Sequence, residues 1–169
     1  MYRAFGSLLA IALGLLAPLP AAAELTKVAA FDFELIDTSL EGALRGARAD
    51  EQARLGLISD DLRRRLGESG RYLVLDLAPA RARIADAGHL HGCPRCASTI
   101  ARDLGAAVAL TGTVQKVSNL ILNVNLYLHD AASGALLRAW SVDIRGNTDQ
   151  SWLRGVSYLV RNRVLRDER

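Results

Sequence analysis

Residues 89–96, His-Leu-His-Gly-Cys-Pro-Arg-Cys, bring two imidazoles and two thiols into eight consecutive positions. Such a set supports three chemistries. Two thiolates with two imidazoles suit Zn²⁺ or Cu⁺, which makes His89, His91, Cys93 and Cys96 one candidate ligand set. The spacing is tight for closing a tetrahedron round one ion, because zinc modules usually draw their ligand pairs from separated segments. The second chemistry is thiol–disulfide exchange, for which C-P-x-C is a familiar spacing. Pro94 suits a first helical turn, which would set Cys93 at a helix N-terminus where N–H groups and the dipole stabilise a thiolate. Exchange motifs follow a strand, however, and no strand pattern leads into Cys93. The third is a disulfide. Cys93 and Cys96 are the only cysteines of the chain, and in an exported protein such a pair is expected to be oxidised. So short a loop gains roughly 2 kcal/mol from the chain-entropy effect. A Cys93–Cys96 disulfide beside two loop histidines, with no metal, is the expected arrangement.

Two further groups are candidates for an interaction surface. Asp32, Glu34 and Asp37 follow one another at the end of the first apolar run, a position where α/β proteins often bind ligands. Three carboxylates could hold a hard cation, or simply form a solvated strand end. Asn119, Asn123 and Asn125 could line a polar groove on an open sheet face. Asn147, Thr148 and Asp149 are accounted for by a turn and a helix cap. No nucleophile elbow, phosphate loop or dinucleotide fingerprint is present, so no catalytic residue and no cofactor are assigned.

These residues have to be positioned by an exported domain. Arg3 precedes an uncharged stretch that runs to Glu24, with small residues at its end. That order is a secretory signal peptide, and Ala21 and Ala23 put the expected cut after Ala23. Pro18 and Pro20 shorten the apolar segment below the ~20 residues of a membrane span. With no cysteine near the cut, no lipid is expected there, and in a Gram-negative host the mature protein would be periplasmic. Residues 24–169 are long enough for one domain with its own core. The formal charge of +3 falls by one when Arg3 leaves, so no basic surface for nucleic acid is indicated. The run Arg63-Arg64-Arg65 follows Asp60-Asp61 and is expected on a solvated helix face.

Period and punctuation predict one α/β unit. Strands are expected over 27–35, with Phe31 and Phe33 on one face, and over 71–77, 107–117, 120–130 and 135–146. Residues 36–50 are expected to be an open polar loop and a binding edge. Helices are expected from Asp50 to the glycines Gly67 and Gly70, over 79–88, from Cys96 through Leu104, and after a cap at Thr148 or Asp149. In 120–130, Leu122, Val124, Leu126 and Leu128 fall on one face, with Asn123, Asn125, Tyr127 and His129 on the other.

The segments VAAFDFEL, LRRRLGESGRYLVLDL, ARDLGAAVALTGTVQKV and LYLHDAASGALL resemble the N-terminal domain of the Tol translocation β-propeller protein (TolB). The curli secretion lipoprotein and the penicillin-binding-protein activator lipoproteins share that pattern. The resemblance implies a single mixed sheet of about five strands with helices packed on it, used for protein contacts and not for catalysis. FDFELIDTSLEG, GCPRCASTIARDLGA, QKVSNLILNVNL and VDIRGNTDQSWLRGVSYLVRNRVL resemble an exported proteobacterial family of unknown function, DUF2380 (DUF3280), over nearly the whole mature chain. That resemblance implies an accessory role, with a protein partner, beside quinoprotein (PQQ-dependent) alcohol oxidation. The alternative kept open is a small periplasmic thiol-redox or metal-handling protein using residues 89–96.

Overall fold

The computed structural model describes residues 24–46 and 48–166; the leader assigned to residues 1–23 lies outside them. Five strands form one mixed sheet: β1 (Thr26–Asp37), β2 (Tyr72–Val74), β3 (Val108–Lys116), β4 (Ile121–Asp130) and β5 (Leu136–Arg145). Their spatial order is β2-β1-β3-β4-β5. β1 runs parallel to both of its neighbours, and β4 runs antiparallel to both β3 and β5. The helices are α1 (Leu40–Arg45), α2 (Ala49–Glu68), α3 (Arg81–Ala87), α4 (Pro94–Asp103) and α5 (Asp149–Leu159), the last continued by a wider turn over Val160–Val164.

Helices lie on both sides of the parallel half. On one face, Ile58, Leu62 and Leu66 of α2 and Trp152, Val156 and Leu159 of α5 pack on Val28, Phe33, Leu110, Val114, Leu122, Val124 and Leu126. On the other, Ala97, Ile100 and Ala101 of α4 pack on Ala29, Phe31 and Ala109. Burial on both faces explains why Val28 to Phe31 read as an unbroken apolar run. The antiparallel half alternates instead. Leu122, Val124, Leu126 and Leu128 are buried, and Asn123, Asn125 and Tyr127 are partly exposed on the opposite side.

Phe31 and Phe33 do not share a face. The β1–β3 pairing steps from Ala30–Leu110 to Phe33–Gly112, so three steps on β1 match two on β3. This bulge adds one residue and inverts the alternation, sending Phe31 toward α4 and Phe33 toward α2 and α5. Helix α2 holds it. The Phe33 N–H donates to Ser59 Oγ (2.9 Å), and that hydroxyl donates to the Leu55 carbonyl (2.7 Å). Four residues along the same helical face, Arg63 donates to the Ala30 carbonyl (3.1 Å) and to Asp32 (2.8 Å). Arg63 therefore grips the bulge, which a merely solvated basic run would not do. Phe33 also requires Gly112 opposite it, since a Cβ there would enter the phenyl ring.

Two other expectations change. The described residues within 36–50 do not form an open loop, because Ser39 caps α1 by accepting from the Gly42 N–H (3.0 Å) and α2 already begins at Ala49. The strand expected over 71–77 pairs only through Val74. Asp76 accepts from the Ala78 N–H (2.9 Å) and turns the chain into a short turn over Ala78–Ala80, where Pro79 has no donor to offer a ladder.

Candidate functional site

Residues 89–96 lie on the α4 side of the sheet. Leu90 is 3% exposed and belongs to the α4-side core, which anchors a tight turn over Leu90–Gly92 and leaves His89 and His91 flanking it. The chain then enters α4 with Pro94 in the first turn and Cys93 as its N-cap, Cys93 Sγ accepting from the Cys96 N–H (3.3 Å). No strand feeds Cys93. The sulfurs of Cys93 and Cys96 are bonded to each other.

Glu34 of β1 meets this turn. Its Oε1 accepts the Leu90 N–H (2.6 Å), while Oε2 contacts His91 Nδ1 and lies 3.5 Å from His89 Nδ1. One ligand atom each from Glu34, His89 and His91 falls within 4.8 Å of the others. Of the four residues grouped by sequence, the structure therefore joins the two histidines to a carboxylate from another segment. The two sulfurs are used on one another.

The acidic trio separates. The bulge aims Asp32 at Arg63 and Glu34 at the histidines, while Asp37 turns to Ser39 and Lys116. These three carboxylates do not form a cation site. The asparagines divide too. Asn123 donates to Asp143 (2.7 Å) and accepts from Ser141 (3.0 Å), and Asn125 donates to Thr113 (3.3 Å), all on the open face of the antiparallel half. Asn119 leaves that face and donates to Glu41 (2.8 Å).

Asp37 and Asn119 belong to a second constellation, at the end of the sheet where β1 and β3 finish. The Lys116 side chain is 0% exposed and its ammonium meets Glu51 at 2.7 Å, Asp37 at 3.2 Å and Glu41 at 3.2 Å. Asn147 donates to Glu51 (2.6 Å) and to Asn119 (3.1 Å). Arg54 donates to Asn147 (2.8 Å) and Asp149 (2.7 Å), and its guanidinium lies over the Trp152 ring, 5.2 Å from the centroid. Burial pulls the Lys116 ammonium down, but its hydrogen bonds to Glu51, Asp37 and Glu41 outweigh that, so its pKa is raised. Burial pushes the Asp37 carboxyl up, yet hydrogen bonds from the Ser39 hydroxyl and amide and from Lys116 leave it lowered. The network ties α1, α2, the β3–β4 turn and the start of α5 into one block. Asn147 and Asp149 are thus more than turn and cap residues, although Thr148 does cap α5.

Sequence reasoning passed over this cluster, though a signal existed. Lys116 shares strand parity with the inward Leu110, Gly112 and Val114, and Glu51 falls on the helical stripe of Leu55, Ile58 and Leu62. A charge on the inward face of each of two elements calls for a partner. Around this block, large apolar side chains face solvent. Leu40 and Leu44 of α1 are 75% and 76% exposed, and Val117 and Leu120 of the β3–β4 turn and Ile121 at the start of β4 are 51%, 71% and 49% exposed.

Solved structures share this fold. The LpoB C-terminal domain from Escherichia coli superposes with a TM-score of 0.52 at 15% identity, over 77% of this chain and 89% of that one. The LpoB C-terminal domain from Salmonella enterica gives 0.51 at 15% identity, over 75% and 86%. At this identity the likeness is one of architecture: a single mixed sheet with helices packed on it. No curated protein sequence matches. The profile of DUF3280, described as "Protein of unknown function (DUF2380)", matches residues 26–164, and the chain belongs to that family.

Proposed function

We propose that this protein is a periplasmic, non-catalytic accessory protein that works by docking a protein partner through the end of the sheet formed by α1 and the β3–β4 turn. One observation carries the reading. Helix α1 buries none of its residues, yet it is held in place by the Ser39 cap and by the Glu41–Lys116 and Glu41–Asn119 contacts. A helix so held presents Leu40 and Leu44, four residues apart on one face, outward. Burying each such leucine in a partner is worth roughly 1.5–3 kcal/mol, which rewards association and gives nothing to the isolated fold. The family resemblance alone directs the search for that partner toward periplasmic quinoprotein alcohol oxidation.

Site-directed photocrosslinking in cells tests it. A photoreactive residue at Leu44 or at Leu120 should yield one discrete adduct with another periplasmic protein. Leu40→Glu should abolish that adduct, and the same probe at Leu137, at the far end of the sheet, should not form it. Identical adducts from all three positions, or adducts only with a second copy of the chain, would count against a dedicated partner at this end. A second reading, metal handling near residues 89–96, is favoured by the meeting of Glu34 with both histidines and is developed next.

A further inference from the structure

We infer that Glu34, His89 and His91 form a binding site for one divalent transition ion of the zinc or copper type. The inference does not depend on the docking surface, which lies at the α1 end of the sheet. Two imidazoles and one carboxylate are the donor set that borderline divalent ions take. The donors come from separate segments, a strand and a turn 55 residues further on, so the ion is not asked to close a ring within one short loop. Three protein ligands leave the fourth tetrahedral position for water or for a donor from another molecule.

The geometry is prearranged on one side. Buried Leu90 fixes the turn between the histidines, and its N–H holds Glu34 Oε1 at 2.6 Å. That bond orients the carboxylate in the way outer-shell partners orient metal ligands, and turns Oε2 outward. His89 Nδ1 stands 3.5 Å from Oε2. Ligands each bonded at about 2.0–2.1 Å to a tetrahedral ion lie ~3.4 Å apart. His91 must pivot away from its direct contact with Oε2 to admit an ion. Its side chain is 30% exposed and that of His89 79% exposed, so both rings can move at the surface.

The sulfurs take no part. Cys93 and Cys96 are bonded to each other, and their disulfide secures the chain just after the turn. The site therefore needs no free thiol, which separates it from a four-ligand thiolate site over residues 89–96.

Isothermal titration of the oxidised, untagged protein with Zn²⁺ tests the assignment. One saturable equivalent is expected. Glu34→Gln, His89→Ala and His91→Ala should each weaken it by more than about tenfold, since outer-shell changes alone cost ~10–100-fold. Glu34→Gln keeps an acceptor for the Leu90 N–H, and His89 is exposed enough that its loss leaves the fold intact, as circular dichroism would verify. Cys93→Ser with Cys96→Ser should retain binding. The inference is overturned if no saturable binding occurs, if His89→Ala and Glu34→Gln bind as the parent does, or if Zn²⁺ binds only after reduction and is lost in the double serine variant.

Discussion

The Phe33 amide donates to the hydroxyl of Ser59, 26 residues further along the chain, at the point where β1 takes up its extra residue. A parallel ladder with a bulge leaves an N–H without a strand partner, and here the helix above supplies the acceptor. The same bulge decides where Asp32 and Glu34 point, so this one hydrogen bond connects backbone register to the histidine cluster.

Ser59→Ala should therefore destabilise the protein by about 1–3 kcal/mol, the cost of leaving a buried amide unpaired. Guanidinium denaturation reads it as a lowered midpoint. A midpoint matching the parent would mean the bulge amide finds another acceptor.

Gly112→Ala should cost ~1–3 kcal/mol by overpacking, since the added methyl enters the space of the Phe33 ring. Phe33→Leu in the same background should recover part of the loss. An additive double variant would show that the two positions do not share that space.

Lys116→Met should cost about 3–5 kcal/mol, because Glu51 is left charged in a site with no exposure, whereas Glu51→Leu should cost less, since Lys116 keeps Asp37 and Glu41. Lys116→Met combined with Glu51→Leu should cost less than Lys116→Met alone, since no buried charge is then left at Glu51. A full double-mutant cycle by urea denaturation measures the coupling, and near-zero coupling would remove the pair from its place as the pin of α1 and α2.

Acid should destabilise the protein through groups at both ends of the sheet. Asp37 and Glu41 have folded pKa values below their ordinary 3.8 and 4.5, so their stabilisation is complete above those values and is lost as pH falls through the lower, folded ones. His129 is 6% exposed and burial lowers its pKa below the ordinary 6.5. The unfolded chain takes up that proton first, so stability already declines below about that pH. Thermal melts from neutral to acid pH should show both limbs. Asp37→Asn should flatten the lower limb, and His129→Gln the upper one.

Protein purified without reductant and denatured should resist alkylation at Cys93 and Cys96, then accept label at both after reduction. Cys93→Ser with Cys96→Ser should lower stability by no more than ~2 kcal/mol, given the short loop. Full labelling before reduction would mean that the pair is held as thiols.

Much of the architecture was legible in the residues themselves. Strict alternation in Leu122–Leu128 marked β4, the spacing Leu55, Ile58, Leu62, Leu66 marked α2, and Pro94 marked the start of α4 with Cys93 before it. These signals are local: they follow from the period of a strand, the period of a helix and the missing N–H of proline.

What only the tertiary structure decided is which distant residues complete each group. The bulge at Ala30–Phe33 depends on acceptors and donors offered by Ser59 and Arg63 on another element, so counting along β1 put Phe31 and Phe33 on one face when they lie on two. Glu34 joins His89 and His91, and Lys116 finds Glu51, for the same reason. Periodicity says which way a side chain faces within its own element. The partner it meets is fixed by how the sheet and helices pack, and that information is spread over the whole chain.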